Sequence, residues 1–299
     1  MIMARSSDLL SIAYSPRARI QLVHVEVTDA SRALEQSHLC GPTASLALSE
    51  TLAGVALLGA ELNRPEETLT LRMRVSGPVQ GVLVEATQDG CLRGYPNVKV
   101  MNDLDGREEL DSSEAFGDRG EVQIVRSVPG HILSHATLEM RPASVRGAVE
   151  QYYDRSLQRR AAAQIVAIAY GGNLDLTRGL LALGMPDTDR AEFDRLSVLF
   201  QDDTAAQELE SCGSLSELGE ALGFDDLQFA PSRPLRFACR CSLDRVTSMI
   251  EALSVKELSD MARRDRPTEI FCHMCGKGYE VSQERMKQLL EKRKGGKHP

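Results

Sequence analysis

The chain has 299 residues, 42% of them hydrophobic and 26% charged, a composition of ordinary globular proteins that excludes collagen-like and disordered chains. Its 35 basic and 43 acidic side chains give a formal net charge of -8, which supplies no general electrostatic reason to coat DNA or an anionic membrane. At this length a single core has usually stopped growing, so two or three units are expected, and no run reaches about 18 consecutive apolar residues, so no membrane span is expected.

Residues 1–14 carry Asp8 ahead of a short apolar patch and lack the basic start, long apolar segment and cleavage site of a secretory leader, which makes a cytoplasmic location the default expectation. Over 19–28, Val23, Val25 and Val27 alternate with His24 and Glu26, the pattern of a half-buried strand that opens the fold. Thr28 and Asp29 can cap a short helix. Leu48, Leu52, Val55 and Leu58, at three- and four-residue spacing, predict a mostly buried helix over 44–62. Strict alternation over 69–75, turns at Ser76-Gly77-Pro78 and Asp89-Gly90, and apolar runs over 79–87 and 91–95 predict an antiparallel meander. Strands are expected at 121–126 and 132–140, a long helix at 144–163, and an apolar run at 164–170 ending at Gly171-Gly172. Strands and helices without strict alternation predict an α+β fold, with a mixed sheet-and-helix core domain at 1–178.

The segment 187–222 is rich in Asp, Glu, Leu and Ala, and Ser214 with Glu217 forms a capping box ahead of Leu215, Leu218 and Leu222. A helical linker at 179–232 is expected here, made of small acidic helices rather than a compact core. Pro231 and Pro234 interrupt both helix and sheet and mark a boundary, beyond which 233–299 forms a third, small unit. It reads as strand to Cys239, a helix from Leu243 with Val246, Met249, Ile250 and Leu253 on one face, a second helix opened by the capping box from Ser254 to Glu257, a strand at 268–271, and a last helix after Ser282. The basic residues from Lys287 to Lys297 read as a solvated helix end and tail.

Seven cysteines are an odd number, and four of them form two tight pairs in the small unit, Cys239-Arg240-Cys241 and Cys272-His273-Met274-Cys275, with 30 residues between. Two short chelating loops are how a four-thiolate zinc site is built, each closing one edge of a tetrahedron. A unit of about 65 residues has a marginal apolar core, so metal binding and folding would be one equilibrium. Either pair is also short enough to oxidise internally, which would remove the thiolates that hold the ion. A permanently closed structural site stays open as the alternative. Cys40, Cys91 and Cys212 are isolated and read as packing residues; His273 is unnecessary to a complete tetrahedron, and His131 with His135 share a strand face with no third ligand nearby.

Phe237-Ala238-Cys239-Arg240-Cys241-Ser242-Leu243-Asp244-Arg245-Val246, followed by Glu269-Ile270-Phe271-Cys272-His273-Met274-Cys275 and Tyr279, closely resembles the zinc module of the redox-regulated heat-shock chaperone family known as the 33 kDa chaperonin. The resemblance extends more weakly to 43–59, 69–75 and Leu92-Arg93-Gly94-Tyr95, while Ser156-Leu157-Gln158 and Asn173-Leu174-Asp175 depart from the family's pattern. It implies one zinc ion on Cys239, Cys241, Cys272 and Cys275 in the reduced, inactive form. It further implies that oxidation pairs Cys239 with Cys241 and Cys272 with Cys275, releases the metal, and unfolds the linker into an ATP-independent holdase, often as an activated homodimer.

Unfolded client proteins are the partners so implied. No Walker loop, G-x-G-x-x-G, H-E-x-x-H or G-x-S-x-G is present, and the chain is not expected to be an enzyme. A zinc-ribbon nucleic-acid-binding protein is the competing reading, against which stand the charge of -8 and a tail without interleaved aromatics. A thiol oxidoreductase using Cys272 and Cys275 is a third.

Overall fold

The structure is a computed structural model that describes residues 8–107, 109–264 and 266–295. By its internal packing the chain divides into two compact units, Met1–Ala238 and Cys239–Pro299.

The first unit begins with β1 (Leu9–Ser15), β2 (Ile20–Glu26), α1 (Thr28–His38) and α2 (Pro42–Leu58). β3 (Thr68–Val75), β4 (Gly81–Thr87), β5 (Cys91–Pro96), the short helices α3 (Asn102–Asp105) and α4 (Ser112–Phe116), β6 (Gly120–Val128) and β7 (His131–Met140) follow. Then come α5 (Val145–Gln151), running on into a π turn, β8 (Ala161–Tyr170), β9 (Asn173–Gly184), α6 (Arg190–Gln201), α7 (Thr204–Ser211) and α8 (Leu215–Ala221). Three two-residue strands close the unit: β10 (Gln228–Phe229), β11 (Arg233–Pro234) and β12 (Arg236–Phe237). The architecture is the expected α+β, in two six-stranded sheets: β10-β1-β2-β9-β8, with β11 also on β1, and β12-β5-β4-β3-β6-β7.

The fold opens one strand earlier than predicted. β1 lies ahead of β2 and pairs with it from Leu9↔Glu26 to Ser15↔Ile20; residues 1–7, part of the stretch read for a leader, lie outside the described residues. α2 starts at Pro42, whose fixed φ suits a first turn, and its length is almost wholly buried between the two sheets. Pro42–Glu61 is therefore long and apolar enough to cross a membrane by composition, contrary to the expectation that no stretch would be, but it is a core helix, nearly all of whose apolar window is buried inside the fold. A side chain at Gly54 would collide with Val145, so that glycine is what lets α2 and α5 approach.

The helix predicted over 144–163 ends early, at Gln151 and its π turn. Ala161, Ala162 and Ala163 are good helix formers, yet they lie opposite Leu183, Ala182 and Leu181 in β9, and sheet pairing outweighs their propensity. β8 and β9 join at Gly171 and Gly172, both with positive φ, as a two-residue hairpin demands.

Two further corrections concern the segment after β9. β9 runs on to Gly184, across residue 178, and β11 and β12 pair with β1 and β5 inside the first unit. The acidic helices α6–α8, read as lacking a compact core, bury Phe193, Leu196, Phe200, Leu209, Leu215, Leu218 and Leu222 against Leu22, Leu180 and Ala182 of the first sheet. The strand β2 is consequently covered on both faces: Val23, Val25 and Val27 face the main core, while His24 and Glu26, the apparent solvent face, are only 3% and 4% exposed.

The second unit contains α9 (Leu243–Glu251), α10 (Val255–Ala262), the hairpin β13 (Thr268–Phe271) and β14 (Gly278–Val281), and α11 (Gln283–Gly295). The tail beyond residue 295 lies outside the described residues. Its core is Val246, Ile250, Leu258, Ala262, Val281, Met286 and Leu289. Met249, placed on the packed face from sequence, is 73% exposed, because it lies about 60° to one side of Val246 on the helical wheel.

Candidate metal centre

Both cysteine pairs are held in tight local structure. Ser242 accepts from the Arg245 amide at 3.2 Å and so fixes the start of α9 directly after Cys241. The Arg245 guanidinium reaches back 2.8 Å to the Arg240 carbonyl, between the first two thiols. The second pair caps the β13–β14 hairpin: the Cys272 amide donates to the Lys277 carbonyl at 2.9 Å, and the amides of Cys275 and Gly276 both turn back to the Cys272 carbonyl. Gly276 supplies the positive φ, +69°, that this turn requires.

These loops bring the four predicted residues together. The Sγ atoms of Cys239, Cys241, Cys272 and Cys275 all lie within 4.8 Å of one another and could hold a metal ion. The contacts between loops are close, 3.8 Å from Cys239 to Cys272 and 3.4 Å from Cys241 to Cys275, and all seven cysteines of the chain are free thiols.

Tyr279 is the residue to which sequence reasoning gave no role. Register places it opposite Ile270 in the hairpin, and its hydroxyl donates to Cys241 Sγ at 3.0 Å while Lys277 Nζ lies 5.2 Å from its ring centroid. The resembling motif included it without a role, and the hairpin register supplies one. Burial pushes the Cys241 thiol up, but the Tyr279 hydroxyl and the neighbouring thiols, donating to the thiolate, bring it down to about 7. The same hydrogen bond pushes the Tyr279 hydroxyl up to about 12. Burial drives the Cys272 and Cys275 thiols upward, more strongly for Cys275. Four thiols in this space therefore share negative charge reluctantly, and a cation at their centre is what would allow all of them to ionise.

The remaining cysteines are elsewhere and apart. Burial pushes the Cys40 thiol up to about 12; Cys91 is buried with its Sγ 3.3 Å from Asp89, and Cys212 is partly buried at the end of α7. His131 and His135 are exposed on β7, and among the described residues the converging donor set consists of the four thiols alone.

Comparison with known proteins agrees with this geometry. The family model described as Hsp33 protein matches residues 8–282. A protein of Cyanothece sp. named 33 kDa chaperonin is 29% identical over 96% of this chain and 98% of its own length. One of the same name from Microcystis aeruginosa is 30% identical, covering 95% and 97%. The crystal structure of the 33 kDa chaperonin of Thermotoga maritima superposes with a TM-score of 0.84 over 97% of this chain and all of that one, at 19% identity, which shows a common fold. With a family model that spans nearly the whole chain and relatives alike from end to end, the protein belongs to the Hsp33 family of chaperones.

Proposed function

We propose that this protein is an ATP-independent holdase controlled by the redox state of its four-cysteine unit, inactive when reduced and zinc-loaded and active after oxidation. The observation that carries the reading is the convergence of Cys239, Cys241, Cys272 and Cys275 in a unit whose own core is seven buried residues. A tetrahedral zinc ion with sulfurs at about 2.3 Å needs S···S edges of about 3.8 Å, and the contacts of 3.8 and 3.4 Å between the loops fit it. Zinc, when bound, would hold the four sulfurs as thiolates and cross-link the two loops.

The residues then act as follows. A peroxide-class oxidant gives one oxygen to a thiolate of a pair, forming a sulfenic acid as the O–O bond breaks and hydroxide leaves; the second thiolate attacks that sulfur, a second hydroxide leaves, and a disulfide forms. Cys239 would pair with Cys241 and Cys272 with Cys275, each pair consuming one equivalent of oxidant. Four thiolates are lost, and with them the ion and the folding free energy of the unit. The helices α6–α8 would next undock from the first sheet, exposing its apolar face to unfolding client proteins, and the activated form would associate as a homodimer until a return to reducing, cytoplasmic conditions restores the thiols.

The test is aggregation of a heat-denatured client, followed by light scattering, with the reduced zinc-loaded protein and with the same preparation oxidised and freed of zinc. Suppression only by the oxidised form is expected. Equal suppression by both forms would remove the redox switch, and suppression by neither would remove the holdase.

A further inference from the structure

The cover formed by α6–α8 is mostly apolar, yet one charged side chain of the sheet reaches into it. Arg178, on β9, is 13% exposed at its side chain and pairs through Nε with Glu26 of β2 at 2.5 Å. Its Nη1 donates to three carbonyls at the end of α7: Leu209 at 3.1 Å, Glu210 at 3.1 Å and Cys212 at 2.9 Å. The last carbonyls of a helix have no partners within it, and α7 has no basic residue in its own last turn. The sheet therefore supplies the cap that the helix lacks.

Glu26 makes this arrangement rigid. One carboxylate oxygen receives the Thr28 hydroxyl and the other holds Arg178 Nε, so the guanidinium is oriented from below with Nη1 aimed at α7. The ion pairs around the rim of the cover, Arg17 with Asp225, Arg19 with Asp187 and Arg160 with Asp194, are exposed at both ends and add little. α8, by contrast, is capped within the cover itself, where Arg195 donates to the Leu222 carbonyl. When α7 leaves, the Arg178–Glu26 pair stays whole on the sheet and Nη1 passes to water, so release strands no buried charge.

We propose that Arg178 is the fastener of the helical cover, a positioning residue whose guanidinium, oriented by Glu26, sets how readily α7 leaves the sheet. The proposal rests on the reading of α6–α8 as a releasable cover, and it assigns the grip to a residue of the sheet rather than to the four-cysteine unit.

The experiment is hydrogen exchange of the full chain, reduced and zinc-loaded, without oxidant or client. Arg178→Met removes the cap but leaves Glu26 buried and unpaired, so Glu26→Gln/Arg178→Met is made beside it to remove that charge. In both variants the α7 amides from Glu208 to Cys212 should exchange roughly tenfold faster or more, with the amides of β2 and β9 and the zinc content unchanged. Arg178→Lys, which keeps the charge for Glu26 without the fork, should fall between wild type and Arg178→Met. Unchanged α7 exchange in both variants would overturn the proposal, and so would acceleration in the double variant that spreads equally through β2 and β9. Failure of the holdase reading would show separately, as an oxidised wild-type protein that does not capture client.

Discussion

The helical cover and the four-cysteine unit are both small assemblies of short helices, and they are stabilised in opposite ways. The cover contributes to a cluster of sixteen buried apolar residues because it borrows half its core from the sheet beneath. The cysteine unit has seven, beside four converging thiols of which burial drives the pKa of Cys272 and Cys275 upward. One assembly is held by burial against a neighbour; the other, on the proposed reading, is held by a cation that can be taken away. On that reading, chemistry acting on sulfur would unfold the second and leave the first sheet untouched.

The largest expected effect follows directly. Chelating the metal at neutral pH should remove a contribution on the order of 10 to 16 kcal/mol and unfold 239–295, whereas the first unit keeps its structure. Circular dichroism would lose the signal of α9–α11 and regain it on adding zinc. A chelated unit with its helices intact would mean that seven apolar residues suffice, and the contrast with the cover would collapse.

Next in size is a cavity in the cover. Phe200 on α6 is buried in the apolar cluster, and Phe200→Ala should weaken the local stability of α6–α8 by about 3 to 5 kcal/mol, read by hydrogen exchange. The zinc content should not change. The exposed Met249 makes an internal control in the other assembly, where Met249→Ala should alter stability by under about 0.5 kcal/mol.

The cover should also be sensitive to acid through His24. This side chain lies beneath it with Nε2 lacking a hydrogen-bond partner among the described residues, and burial, with Arg178 adding to it, holds its imidazole down at about 4. A histidine whose folded pKa is below the unfolded value of about 6.5 takes up its proton more readily when released. Stability is therefore complete above about pH 6.5 and falls as pH drops toward 4, by roughly 3 kcal/mol at the end of that window. His24→Leu should abolish this part of the pH dependence. Asp8, pushed up to about 6 mainly by burial, has the opposite sign, so the difference between wild type and His24→Leu at pH 5 and pH 7.5 is the quantity to measure. An identical pH profile in both proteins would show that His24 is not desolvated by the cover.

His24 also shows where sequence reading stops. Its alternation with Val23 and Val25 predicted the strand correctly, but alternation alone cannot distinguish a face turned to water from a face covered by helices that begin at Arg190, far along the chain. The alanines of β8 failed for a related reason, since their preference for helix is weaker than the pairing with β9 that only the folded chain provides. The four thiols were legible because ligand spacing is local, two residues and three, and the loops that carry them fold locally. The roles of Tyr279 and Arg178 were not, because each acts through a register or a docking that joins distant segments.

The smallest effect is the sharpest comparison, because the two assemblies share one local device. Ser214 opens α8 in the cover and Ser254 opens α10 in the cysteine unit, each with a complete capping box to Glu217 and Glu257. Replacing either serine by alanine should cost about 1 kcal/mol of helix stability. In the cover, Ser214→Ala should appear as roughly fivefold faster opening of α8 at any zinc concentration. If folding and metal binding are one equilibrium in the cysteine unit, as proposed, Ser254→Ala should appear instead as zinc affinity weakened about fivefold, with no effect on the metal-free chain. Alanine at 254 that left zinc affinity unchanged would show the unit to be folded before the metal arrives, and oxidation of its thiols would then have no unfolding to trigger.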